Sequence, residues 1–302
     1  MITYIGTSLF DSPAQVLVNT VNTEGVMGKG IALQFKSIFP EMFAEYQSLC
    51  EKGQIKIGKL WIYKSPHKWI LNFPTKRYWR QPSKLEYIDL GLQKFVTEFG
   101  DLKIHSIAFP ALGCGNGELD WEEVKPLMES HLRTVPADIF IHPPLTTSDQ
   151  PEHRSEKVMA EWLRSEPRTL AFSEVWLDLK HLLANKSEFS TSKKPFFARI
   201  HDNSERFLEI ETDSRKYRIE YDDLQEVWSR FRTHGYLRRG IVTNAIQKVL
   251  YYLIPVFERL EYVERIELSE TDSFSEYGTG EPLTGLQYNA PSLGDNQPSL
   301  FL

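Results

Sequence analysis

Two asparagines three apart, Asn19 and Asn22, close an apolar run (Val16, Leu17, Val18) and open a segment with three glycines, Gly25, Gly28 and Gly30. Ile31-Ala32-Leu33-Gln34-Phe35-Lys36 follows with helical spacing. A strand, a glycine-rich turn and a helix N-terminus together make an anion site. Glycines let backbone N–H groups approach oxygen atoms, and the helix dipole favours negative charge. Met27, Gly28, Lys29, Gly30 and Ile31 are therefore placed to hold phosphate, with Lys29 either adding charge or simply lying exposed. No Gly-x-x-x-x-Gly-Lys-Ser/Thr occurs, and the three glycines do not make Gly-x-Gly-x-x-Gly, which excludes two common nucleotide loops. A second cluster, Leu112-Gly113-Cys114-Gly115-Asn116-Gly117, ends another apolar run and offers the same close approach to an anion. Cys114 reads either as a nucleophile or as a small packed thiol, and no histidine near it in sequence supports the first. A third segment, Asn72 to Arg80, carries Thr75 and Lys76 and then alternates basic and aromatic residues. Arg77, Trp79 and Arg80 can pair with phosphates and stack on bases of single-stranded DNA, or form a solvated loop around a packed tryptophan.

The elements that must position these residues alternate between strand and helix. Ile2–Ile5, Ala14–Val18, Leu60–Tyr63, Trp69–Phe73, Ile104–Phe109 and Asp138–His142 read as strands. Ile31–Phe39, Glu41–Cys50, Leu85–Phe99 and Trp121–Leu132 read as helices, with Pro40 separating the first two. Such interleaving predicts a mixed sheet between two helical layers, with the ligand loops at strand carboxyl ends. Residues 146–154 read as a linker by their Pro, Ser, Thr and Asp content.

Residues 155–266 read as a smaller α+β domain. A helical pair (155–164 and 172–185) and a polar loop (186–194) precede an antiparallel meander over 195–201, 207–212 and 216–221. One helix follows from Asp222 to Phe231, and another from Asn244 to Leu260, kinked or broken near Pro255. Residues 267–302 read as an acidic, flexible tail: Glu267, Glu270, Asp272, Glu276, Glu281 and Asp295 have no Lys or Arg among them. That tail is either a solvated appendage or an acidic ligand for a basic partner.

Bulk properties narrow the classes further. Two cysteines, Cys50 and Cys114, make no disulfide framework and no metal-ligand pattern, and they suit the cytoplasm. No run is long enough for a membrane span and no export signal is visible, so no membrane partner is expected. A net charge of −6 argues against a general nucleic-acid coat protein but not against a local basic groove. Neither a cofactor nor a metal is expected.

The loops at 18–32 and 107–117 resemble the two ligand loops of macrodomains, which bind ADP-ribose. The 72–80 segment is similar to the lysine-bearing segment of the glycohydrolase branch that includes the human terminal ADP-ribose glycohydrolase and the DarG antitoxins. The wording Asn19-Thr-Val-Asn-Thr, then Gly-Val-Met-Gly-Lys-Gly, is nearest DarG. The resemblance covers roughly the first 150 residues and implies an α/β macrodomain over 1–145. It also implies ADP-ribose contacts from Thr7, Ser8, Leu9, Asn19, Asn22, residues 27–31, Thr75 and residues 112–117, with Asn22 at the distal ribose and Asn19 in a structural place. Many macrodomains carry, at the place of Thr7, an aspartate that accepts from the adenine amino group. Here that task falls to a hydroxyl or to backbone.

Lys76 takes the catalytic place by the same resemblance. In the human relative the lysine works with an aspartate in the second loop, and this chain has Gly117 there. Because the relative carries an acid at that place, Gly117→Asp is expected to leave the fold intact. The implied function is a hydrolase antitoxin that removes ADP-ribose from DNA bases and, through its second domain, blocks a cognate DarT-like ADP-ribosyltransferase toxin. The alternative is a non-catalytic ADP-ribose reader or regulator whose second domain binds DNA or protein. Lys76 favours the first and Gly117 the second.

Overall fold

Val16–Val21 forms the central strand of a six-stranded sheet, and its burial explains its composition. Val16, Leu17 and Val18 are all buried, as a parallel strand covered on both faces requires. Alternation along the strand divides the core in two. Val16 and Val18 face one apolar cluster, while Leu17 and Val21 face the other.

The computed structural model describes residues 1–144, 152–184, 187–191, 194–268 and 283–289. The first unit, Met1–Glu161, contains β1 (Ile2–Tyr4), β2 (Val16–Val21), α1 (Gly30–Ile38), α2 (Pro40–Glu51), β3 (Trp61–Lys64) and β4 (Trp69–Pro74). It continues with α3 (Leu85–Glu98), β5 (Ser106–Pro110), α4 (Trp121–Leu132) and β6 (Asp138–His142). The strand order is β1-β6-β5-β2-β4-β3. All pairings are parallel except β3 with β4, so the sheet is mixed, as expected. Ile88, Leu92 and Phe95 of α3 and Val124 and Met128 of α4 cover one face. Phe35 of α1 and Met42, Phe43 and Tyr46 of α2 cover the other. Parallel strands bring their carboxyl ends to one edge. The segments after β1, β2, β4 and β5 therefore emerge together there, with the end of β6 beside them.

The second unit runs from Trp162. The division falls inside α5 (Glu156–Ser165), later than the linker composition implies. Side chains account for the shift: Glu156 pairs with Arg80 at 2.5 Å and His153 with Glu118 at 2.6 Å, whereas Arg164 pairs with Asp178 at 2.6 Å. Beyond α5 lie α6 (Phe172–Leu182), β7 (Ser187–Ser190), β8 (Pro195–Asp202), β9 (Arg206–Glu211) and β10 (Lys216–Glu220), then α7 (Tyr221–His234), β11 (Tyr236–Leu237), α8 (Asn244–Gln247), α9 (Leu250–Phe257), β12 (Val263–Leu268) and β13 (Leu283–Tyr288). Strands β7 to β10 form an antiparallel meander, and β11-β13-β12 a separate three-stranded sheet.

Three expectations for this half are corrected. The polar stretch 187–190 is a strand rather than a loop, because Phe189 buries itself and stacks on Phe196 at 5.6 Å. The 244–260 helix breaks at Lys248–Val249, not at Pro255. The Val249 N–H bonds to the Ile246 carbonyl, a tight turn that ends α8, and Pro255 is accommodated within the short, buried α9. The segment from 267 is not wholly a flexible tail. Glu267 lies in β12, and β13 pairs with β12 along its whole length. Buried Leu286, and Tyr288 stacked on Phe231 at 4.1 Å, anchor β13 in the core. Glu270, Asp272, Glu276, Glu281 and Asp295 lie outside the described residues.

Candidate active site

A cleft of about 650 Å³ opens at the carboxyl edge of the six-stranded sheet. Thr7, Ser8 and Leu9 line it after β1, and Asn22, Gly28, Lys29, Gly30 and Ile31 after β2. Thr75 and Lys76 reach it after β4, and Gly113, Cys114, Gly115, Asn116 and Gly117 after β5. These segments come from four separate stretches of sequence. Three expected contacts lie elsewhere. Asn19, Met27 and Leu112 are buried behind the cleft wall and do not line it. Asn19 alternates onto the α1–α2 side of β2, where its amide donates to Asn72 Oδ1 at 3.0 Å and lies 3.8 Å from Met27 Sδ.

Asn22 lines the cleft, but its amide holds the loop. Nδ2 donates to the Val26 carbonyl at 2.7 Å, and Oδ1 accepts from the N–H groups of Glu24 at 2.9 Å and Val26 at 3.3 Å. The Tyr46 hydroxyl stands 2.7 Å from the Asn22 carbonyl and 3.1 Å from Oδ1. Burial raises the Tyr46 pKa well above its ordinary value, so this donor stays protonated. The loop then delivers the chain to α1. Lys29 caps that helix without a side-chain cap bond to its first turn, and the first-turn residues Gly30, Ile31 and Ala32 line the cleft. Gly30 has φ +60°, and a Cβ there would stand 2.5 Å from Asn116 Nδ2. The two glycine loops thus meet at Gly30 and Asn116.

The second loop is wound tightly by N–H bonds from Cys114 to Ala111, from Glu118 to Gly115 and from Leu119 to Gly113. It is also tied to the lysine-bearing segment, since the Ser83 N–H donates to the Gly117 carbonyl at 2.9 Å. A Cβ at Gly117 would lie 2.3 Å from the Gly113 carbonyl oxygen and 2.3 Å from Ser83 Oγ. An acid at 117 would therefore require the 113 backbone or Ser83 to shift, a strain that the resemblance does not reveal. Glu118 next to it adopts φ +61° and turns its carboxylate away to His153 and Arg154, whose hydrogen bonds hold it below the usual carboxylate range.

The electrostatics of the cleft are one-sided. Among the described residues no carboxylate lines it, while Lys29 and Lys76 do. Lys76 is only 5% exposed, unusual for a lysine. Burial, with the nearby Asp120 charge, pushes the Cys114 thiol up to about 12, which removes it as a nucleophile at neutral pH. Its Sγ lies 3.5 Å from the Leu112 carbonyl, as a packed thiol would. His142 also lines the cleft, with Nδ1 2.9 Å from the Thr7 carbonyl. Sequence reading passed over it as a strand terminus, although the terminus of a parallel strand is where such a residue should be sought. No group of His, Cys, Asp and Glu able to hold a metal occurs among the described residues.

Of the three DNA-contact candidates, Trp79 is withdrawn as a stacking surface. It is fully buried, its backbone N–H donates to Glu24 at 2.9 Å, and the Arg80 guanidinium covers its ring at 4.1 Å. A large apolar ring beside the core packs there because burial stabilises it more than exposure does. Arg80 is engaged by that ring and by Glu156. Arg77 remains exposed, its guanidinium 5.8 Å from the Tyr87 ring. No helix among the described residues is long and apolar enough to cross a membrane.

A family model described as Macro domain matches residues 18–128. Over 149 residues the chain is 48% identical to a Mycobacterium tuberculosis protein named DNA ADP-ribosyl glycohydrolase, in an alignment covering 48% of this chain and 42% of that one. Over 156 residues it is 36% identical to a Thermosipho africanus protein named DNA ADP-ribosyl transferase-DNA ADP-ribosyl glycohydrolase fusion protein, covering 45% of this chain and 40% of the relative. Among solved structures, the macrodomain of Mycobacterium tuberculosis DarG is 48% identical over 48% of this chain and 99% of that chain, with a TM-score of 0.47. The chain spans less than half the length of these curated relatives.

Proposed function

We propose, from the premise that the N-terminal unit of this chain is a macrodomain, that the protein removes ADP-ribose from DNA bases. The observation that carries this reading is Lys76, a buried lysine just after β4 in a cleft that, among the described residues, no carboxylate lines. The dianionic diphosphate of ADP-ribose suits the first turn of α1 and the glycine-rich backbone of 113–117. The bond broken joins the anomeric carbon to a base nitrogen. Water adds its oxygen to that carbon, and a proton passes to the departing base. Gly117 stands where the resemblance places an acid in the human relative, so the role assigned to Lys76 is electrostatic. Its ammonium stabilises negative charge developing on the leaving base. The missing carboxylate also favours a second reading, a reader that binds ADP-ribose without turnover.

One experiment separates the two. Single-stranded DNA carrying ADP-ribose is incubated with the protein, and free ADP-ribose is measured. Release that falls at least about 100-fold in Lys76→Ala, with ADP-ribose affinity kept within a few fold, is expected. Near-wild-type turnover by the variant would remove Lys76 from the chemistry, and binding without release would leave the reader. Borohydride trapping of a lysyl adduct would make the lysine a nucleophile instead.

The second unit is proposed to bind a cognate DNA ADP-ribosyltransferase. The support is that a 36%-identical relative is named as a fusion of the two activities, which places transferase and hydrolase in one chain. Four carboxylates of this unit could stand in for DNA phosphates in the transferase's basic cleft, and they are partly engaged within the unit: Glu220 pairs with Arg218, Glu226 pairs with Arg230, and Asp222 and Asp223 stand in the first turn of α7, where the helix dipole favours them.

A further inference from the structure

The segment after Lys76 turns its two aromatic residues in opposite directions. Trp79 is wholly buried, whereas Tyr78 is 48% exposed. The backbone beneath Tyr78 is held on both sides. The Arg77 carbonyl accepts from the Thr23 N–H at 3.1 Å and from the Thr23 hydroxyl at 2.9 Å, and the Tyr78 carbonyl accepts from the Gln81 N–H at 3.1 Å. The ring therefore projects from a fixed turn, with Arg77 exposed next to it. From residue 72 to 84 the chain has no Asp or Glu and four cations, Lys76, Arg77, Arg80 and Lys84. Two residues of chain span at most about 7 Å, so Tyr78 lies within one nucleotide's reach of the Lys76 end of the cleft.

We propose that Tyr78 is the stacking platform for the base next to the modified one in a single-stranded substrate, and that Arg77 meets the adjoining phosphate. This rests on the glycohydrolase reading and deepens it: the enzyme is predicted to recognise a strand, not an isolated ADP-ribosyl nucleoside. An exposed aromatic on a rigid basic turn suits this task. Every base offers a π-face, so stacking holds a strand without reading its sequence, while a nearby guanidinium neutralises the backbone. Duplex DNA would keep the neighbouring base inside its own stack and away from the ring, so the platform selects unpaired substrate.

The test compares two probes: a single-stranded oligonucleotide with one ADP-ribosylated base, and the corresponding ADP-ribosyl nucleoside alone. Affinity and rate of release are measured for wild type, Tyr78→Ala, Tyr78→Phe and Arg77→Ala. Tyr78→Ala is expected to weaken binding of the oligonucleotide about 5- to 150-fold, mainly in Kd and KM, and to leave the nucleoside unaffected. Tyr78→Phe should bind as wild type does, because the ring is kept. Arg77→Ala should reduce the salt dependence of oligonucleotide binding by about 0.7 in log–log slope. Equal effects of Tyr78→Ala on both probes, or none on either, would overturn the proposal. A wild-type protein that binds both probes but releases nothing would overturn the glycohydrolase reading alone, since the affinities still decide the role of Tyr78.

Discussion

Placing a single methyl group at Gly117 should damage the first unit more than its position in a loop implies. The Cβ of Gly117→Ala would sit 2.3 Å from the Gly113 carbonyl oxygen and 2.3 Å from Ser83 Oγ, where 3.4 Å is an ordinary contact. Something must therefore move by about 1 Å, and one of the two obstacles is backbone. The cause is space, because Gly117 is not among the glycines with positive φ. Overpacking of this kind costs about 1–3 kcal/mol. In a unit of this size each kcal/mol lowers Tm by about 2–4 °C, so a fall of about 2–12 °C is expected.

The same displacement should weaken ADP-ribose binding, because Gly117 adjoins Asn116, which closes on Gly30. Gly117→Asp should do at least as much harm. Ser83→Ala tests the geometry from the other side. Ser83 Oγ is buried without a hydrogen-bond partner, so its removal alone should be nearly neutral. Combined with Gly117→Ala it should restore part of the lost stability but not all, since the Gly113 carbonyl remains. Calorimetry or a thermal melt of the four proteins completes the cycle. Gly117→Ala and Gly117→Asp melting within about 1 °C of wild type would refute the reasoning.

Further outcomes follow from the site and the second unit. ADP-ribose at 100 times its Kd should stabilise the unit containing the cleft by about 2.7 kcal/mol, and no rise in Tm at millimolar ligand would refute the ligand assignment. With its thiol near 12, Cys114 should alkylate at pH 8 on the order of a hundred- to a thousandfold more slowly than a free thiol, and Cys114→Ala should keep normal turnover; rapid labelling by iodoacetamide would contradict its packed environment. Residues from Trp162 onward, expressed alone, should capture and inhibit the cognate transferase in a pull-down and activity assay. Neutralising Glu267 at the end of β12 together with Glu270, Asp272, Glu276, Glu281 and Asp295 beyond it tests the acidic segment, and unchanged salt dependence of inhibition would leave those carboxylates without a role in it.

Much of the first unit was legible in sequence because its signals are local. The continuous apolar run of β2, the helical repeat of Ile88, Leu92 and Phe95, and glycine clusters at strand ends each depend on residues a few positions apart. Once the strands are read as parallel, their carboxyl ends must share an edge, and Lys76 must meet the loops of 28–30 and 113–117 there. Long-range packing decided the rest. That Trp79 is buried and Tyr78 exposed is not readable from their neighbouring places in sequence, and the contacts that hold this segment, Glu24 on the Trp79 N–H and Glu156 on Arg80, come from distant stretches of chain. Crowding at Gly117 comes from the Gly113 carbonyl, brought back by the fold of the loop, and from Ser83, some thirty residues earlier, and the Gly-Cys-Gly-Asn-Gly composition reveals neither. That the amide of Asn22, besides lining the cleft, ties down its own loop through Val26 and Tyr46 is visible only in the folded chain. Strand β13 reads as tail because six residues carry too weak a pattern alone, and only pairing with β12 and stacking on Phe231 make it a strand. Periodicity reports which face of an element is buried, but the identity of the atom on the other side of a contact is a property of the folded chain.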